Sequence, residues 1–114
     1  MKYLLLVIGF HDQDGGEDGE GPTVEEFQDY ERALVDAGVR VDGSALQGVD
    51  LATTVQVGRD GRRLVTNGPF PETREYLGGY DLIDVPDLDA ALDWAARCPG
   101  ARYGRVEVRP LLQF

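Results

Sequence analysis

The chain is short of several residue types, and each shortage closes off a class of chemistry. It has one cysteine, Cys98, one histidine, His11, and, among eleven basic residues, one lysine, Lys2. A lone cysteine excludes an intrachain disulfide and a zinc site built on thiolates of one chain. Just ahead of Pro99, at a predicted helix end, Cys98 reads as a buried structural thiol. No apolar run approaches the roughly 20 residues that a membrane-spanning helix needs. The apolar opening, Tyr3 to Ile8, is too short for a signal peptide and reads as a first strand, which makes the cytoplasm the default location. Positive charge is scarce too. Eleven basic residues against twenty-one acidic ones give a net charge of −10, which repels phosphate backbones and anionic membrane surfaces, so neither nucleic acid nor membrane is expected as a partner.

What is present fits one globular domain over residues 1–114, with 42% hydrophobic and 28% charged residues, long enough to bury about two thirds of its unfolded surface. Lys2 to Ile8 is apolar on both parities of a strand, so both of its faces should be covered. Residues 11–21 carry five carboxylates among four glycines and too little apolar surface to order themselves. They read as a mobile acidic loop. Its Asp12-x-Asp14 start looks like a calcium loop, but Gly16 stands where a third ligand belongs and Glu17 where the turn glycine belongs, so no metal is expected.

A helix should run from about residue 23 to Ala37, with Thr23 as its cap, Glu26 closing a capping box, and Gly38 ending it in the left-handed conformation. Val24, Phe27, Tyr30 or Glu31, and Leu34 form its inner stripe; Glu25, Asp29, Arg32 and Asp36 form its solvated face. Val39 to Val41 and Ala45-Leu46 suggest an extended passage broken by Asp42-Gly43. Two short β-runs, Ala52 to Val57 and Arg62 to Thr66, are joined through Arg59-Asp60-Gly61 as a hairpin. A strand from Gly79 to Val85 follows, then a helix opened by Pro86 and capped by Asp87, with Leu88, Ala91, Leu92 and Ala95 as its stripe and Pro99-Gly100 as its stop. The last strand, Tyr103 to Arg109, alternates Val106 and Val108 with Arg105, Glu107 and Arg109, giving one apolar and one ionic face.

Between hairpin and third strand lies a stiff, heavily functionalised turn. Asn67-Gly68 tolerates positive φ, while Pro69 presets its own φ and pushes Gly68 away from the α region. Phe70, Pro71, Glu72, Thr73, Arg74 and Glu75 follow at once. Such a loop suits a ligand site, although the same chemistry also makes plain hairpin connectors. The element order is that of an α+β, ferredoxin-like split βαβ domain with an antiparallel sheet and an inserted hairpin. With both helices on one face, the apolar second face of the first strand calls for a second copy of the sheet, hence a homodimer. His11, Glu72 and Arg74 should then gather at one end of the sheet.

The run from Val65 to Tyr80, built around Asn67-Gly68-Pro69-Phe70 and Gly78-Gly79-Tyr80, resembles the signature of the YCII-related superfamily and, within it, the DGPF-domain branch. The opening Met1 to Leu6, the helix end Ala91 to Pro99, and the terminal Val106-Glu107-Val108-Arg109-Pro110 look like the same branch, so the resemblance covers nearly the whole chain. It departs at Asn67, where the branch has its naming aspartate, and at Arg74, where a lysine is usual. The resemblance implies a bacterial protein forming a dimeric α/β-barrel of ferredoxin-like halves, and it implies no known reaction. The His–Asp pair of other YCII-like proteins does not carry over, because the first helix here contains no histidine.

These readings point to a homodimeric small-molecule-binding protein, with or without turnover. Asn67, Gly68, Pro69, Phe70, Glu72, Arg74, Glu107 and Arg109 would be its ligand-binding residues, and no cofactor is expected. Arginine forks pair with carboxylates or phosphates, whereas Glu107 and Arg109 also suit simple cross-strand ion pairs. His11 is a weak catalytic candidate, resting only on its neutral-range pKa. Tyr76, Tyr80 and Tyr103 suit either a pocket lining or dimer packing. An alternative is a regulatory protein linked to an extracytoplasmic-function sigma factor, because relatives resembling this chain occur beside such genes. A monooxygenase or isomerase role rests on fold analogy alone.

Overall fold

A computed structural model describes residues 1–10, 21–67 and 75–113. The acidic loop from His11 to Glu20 and its calcium-like spacing therefore lie outside the described residues, as does the turn from Gly68 to Arg74. The chain is α+β. In order it contains β1 (Lys2–Phe10), α1 (Val24–Asp36), β2 (Arg40–Ala45), a single 3-10 turn, β3 (Thr53–Val57), β4 (Arg63–Asn67), β5 (Glu75–Asp84), α2 (Leu88–Arg97), α3 (Gly100–Tyr103) and β6 (Arg105–Pro110). Among the described residues, four strands form one antiparallel sheet in the order β2-β5-β1-β6, while β3 and β4 pair only with each other. This arrangement is compatible with the ferredoxin-like split βαβ, with the β3–β4 hairpin inserted between its second and third strands.

Local chemistry sets the helix ends. The Thr23 hydroxyl accepts from the Glu26 N–H at 3.0 Å. The expected capping box closes on that side only, because the Glu26 carboxylate accepts instead from Arg102 at 2.7 Å. At the other end Gly38 adopts φ 73°, and the N–H groups of Gly38 and Val39 return to the carbonyls of Val35 and Leu34. Asp87 caps α2 through the Ala90 N–H at 2.9 Å.

The core lies between one sheet face and the two helices. It joins Tyr3 and Leu5 of β1, Ile83 of β5, Tyr30 and Leu34 of α1, Ala91 and Ala95 of α2, and Cys98, with Val106 and Val108 of β6 packed against it. The Tyr30 hydroxyl donates to the Trp94 carbonyl at 2.7 Å, fastening α1 to α2. Three stripe residues fail to reach this core. Val24 is 74% exposed, and Leu88 and Leu92 are also exposed; α2 turns its small residues to the sheet and can therefore approach it closely.

The strands depart from the expected bounds where pairing overrides local signals. Asp42-Gly43 does not break β2. The strand runs through, with a register shift between Arg40 and Asp42, and Asp42 and Gly43 pair with Leu82 and Asp81. β5 begins four residues earlier than Gly79, because β1 extends to Phe10 and pairs there with Glu75. The Gly78-Gly79 pair thus lies inside the strand. Gly78 is the extra residue at the shift between Val7 and Ile8, and at Gly79 a Cβ would stand 2.8 Å from the Ser44 carbonyl oxygen of β2. Tyr103 belongs to the short α3 turn, so the last strand starts at Arg105.

Candidate functional site

The helix-free face of the sheet follows from the pairing register. Leu4, Leu6 and Ile8 of β1 stand level with Leu82, Tyr80 and Leu77 on β5, and with Arg109, Glu107 and Arg105 on β6. Register partners point to the same side. An apolar floor is therefore flanked by an ionic wall on the β6 edge, and on the β2 edge by Asp42, whose carboxylate lies 3.5 Å from the Tyr80 hydroxyl.

The wall is a connected chain of charge. Arg105 straddles β1 and grips Glu75 with two parallel bonds, Nε to Oε1 at 2.8 Å and Nη2 to Oε2 at 2.9 Å. Glu107 sits between two guanidiniums, with Arg105 Nη1 at 3.5 Å and Arg109 Nη1 at 3.3 Å. The hydrogen bond from Arg105 holds the Glu75 carboxyl below its usual range, and the same bond raises the already high pKa of Arg105. Both groups stay charged throughout the neutral range. Arg109 is 65% exposed and bonds Glu107 through Nη1, so much of its side chain faces solvent. Glu75 is the first described residue after the Gly68–Arg74 segment, and its partner strand β1 ends at Phe10, just before His11. The convergence of the end of β1 with the starts of β5 and β6 is thus observed. Next to it, Gly9 lies under the Tyr76 ring, where a Cβ would come within 2.6 Å of the ring.

Of the residues expected in a site, the structure brings Glu107 and Arg109 together on β6. Asn67 is not in the turn; it is the last residue of β4 and pairs with Thr53. Gly68, Pro69, Phe70, Glu72, Arg74 and His11 lie outside the described residues. Of the three tyrosines, Tyr80 joins the apolar floor and Tyr76 covers Gly9, while Tyr103 sits apart in α3. A recess of about 500 Å³, lined by residues such as Gln56, Arg62 and Leu64, opens on the β3–β4 hairpin rather than on the sheet.

Two features escaped the sequence reading. Arg105 is the hub of the ionic wall, and only the cross-strand register distinguishes it from its neighbours. The second is Asp81, on the helix side of β5 at 4% exposure, with Oδ1 lacking a hydrogen-bond partner among the described residues. Burial first, then hydrogen bonding and charge from Glu31, push its carboxyl up to about 8, with Arg40 acting in the opposite sense. Arg40 itself bonds Glu31 at 2.6 Å and the Gly43 carbonyl at 2.9 Å. The signal was available in principle, since Asp81 shares strand parity with the core residue Ile83. Cys98 is buried as expected, and that burial raises its thiol to about 11, which keeps it protonated and unreactive at neutral pH.

A family model for the YCII-related domain matches residues 1–114. The chain belongs to the YCII-related family. It is also similar to a curated protein of Rhizobium meliloti (strain 1021) named "Uncharacterized protein R00369", with 46% identity over 56 residues, covering 47% of this chain and 45% of that protein. The chain thus spans about half the length of that relative. Membership in the YCII-related family agrees with the observed α+β architecture. Among the described residues no helix is long and apolar enough to cross a membrane.

Proposed function

We propose that this YCII-related protein is a cytoplasmic homodimer of the DGPF branch that binds a small molecule, its two sheets facing each other across the helix-free side. The carrying observation is the Glu75–Arg105–Glu107–Arg109 row standing beside the half-buried stripe of Leu4, Leu6, Ile8 and Leu82. An apolar floor next to an exposed guanidinium fork recognises a molecule with an apolar body and a carboxylate or phosphate head. Arg109 supplies the recognition, Arg105 and Glu107 hold the wall in shape, and Asn67, Gly68, Pro69, Phe70, Glu72 and Arg74 are retained as proposed ligand contacts. A second sheet stacked about 10 Å away would cover the floor while leaving its ionic edge accessible.

The test is calorimetric or NMR titration with benzoate and phenyl phosphate as probes. Saturable binding is expected, and Arg109→Ala should weaken it about tenfold while changing unfolding free energy by no more than about 1 kcal/mol, as for an exposed charge. If neither probe binds at millimolar concentration, or if Arg109→Ala binds as the wild type does, the reading fails.

A further inference from the structure

We propose that the β3–β4 hairpin is an arm that docks on the acidic body of a second copy of this chain, an inference that rests on the homodimer proposed above. Val55, Val57, Leu64 and Val65 of the arm are each more than half exposed, and among the described residues none of the core comes from it. Val55 and Val65 pair directly, and Val57 lies on the same face. A two-stranded hairpin of this size is marginal alone in water and needs a further apolar surface to stand on. The molecule accordingly has a radius of gyration of 16.0 Å, against about 13 Å for a compact domain of this length.

Charge identifies the occupant. The arm, Thr53 to Asn67, carries Arg59, Arg62 and Arg63 against Asp60, a net +2 in a chain of net −10, which leaves −12 on the rest. Its tip is stiff: Gly61 takes φ 83°, the Gly58 N–H bonds the Arg62 carbonyl at 2.9 Å, and Asp60 Oδ1 accepts from the Arg62 N–H at 3.0 Å. Arg62 and Arg63 are among the residues that line the 500 Å³ recess at that tip, and arginine forks pair with carboxylate side chains. The body offers such groups in Asp89 and Asp93, exposed on α2, next to Asp84, which pairs with the N-terminal ammonium, and Asp87, which caps the helix. A basic arm with an uncovered valine face fits the acidic surface of another copy, and it repels a second arm.

Sedimentation equilibrium of the full chain across a salt series tests this. The wild type should dimerise more weakly as salt rises, and Arg62→Glu with Arg63→Glu should raise the dimer Kd about tenfold and flatten that salt dependence. Arg62→Gln with Arg63→Gln, which leaves exposed positions polar, should shift the Kd in the same direction by less and guards against misfolding of the double reversal. If both double variants dimerise within twofold of wild type with the same salt slope, the arm is not at the interface, while the sheet-to-sheet dimer stands. A wild type that is monomeric at every concentration removes the arm and the dimer together.

Discussion

Asp81 shows how one residue can tune stability with pH. Its folded-state pKa, about 8, lies above the ordinary carboxyl value of 3.8, so between about pH 4 and 8 the folded chain holds a proton that the unfolded chain releases. The stability contribution of this group is fully present below about pH 4 and is lost as pH rises toward 8. Asp81→Asn should therefore flatten the pH dependence of unfolding and stabilise the protein at pH 8 by roughly 1–3 kcal/mol, since the buried charge no longer has to form. Urea unfolding at pH 5 and pH 8 checks this. Equal destabilisation at both values would mean that the carboxylate is needed where it lies. The glycine opposite is part of the same design, because a Cβ at Gly43 would collide with Asp81 Oδ1.

Within the elements, β5 separates two glycines that look alike in the sequence. Gly79→Ala would press a methyl group against the Ser44 carbonyl at 2.8 Å and pry β2 from β5, whereas at Gly78 the nearest atoms stand at 3.6 Å. The expected costs are roughly 2–3 kcal/mol at Gly79, as for overpacking against backbone, and under about 1 kcal/mol at Gly78. Thermal unfolding of the two single variants measures the contrast, and similar losses would contradict the pairing. The helices were far more legible than the strands. Thr23, Gly38 and Asp87 act on backbone groups at most five residues away, so their roles can be read directly. The start of β5 depends instead on Phe10 across the sheet, and the local Gly-Gly signal, read as a boundary, marks a bulge and a close strand approach.

At the scale of the whole molecule the open sheet face makes the strongest demand. Leu6→Lys would place a charge at the centre of the apolar floor, beside Tyr80 and Glu107. Light scattering at micromolar to millimolar concentration should find a wild-type dimer and a Leu6→Lys monomer. A monomeric wild type would refute the proposed covering of that face.

By itself the sequence determined the order of elements, both helix caps, the hairpin turn and the two-faced character of β1 and β6, because each rests on interactions or periodicities within a few residues. The tertiary structure alone decided that Arg105 meets Glu75, 30 positions away, across β1. It also decided that Asp81 is entombed beside Glu31 and Arg40, and that β3 and β4 stand apart from the main sheet. Those outcomes depend on which strands become neighbours and in what register, and a one-residue shift in register exchanges the two faces of a strand.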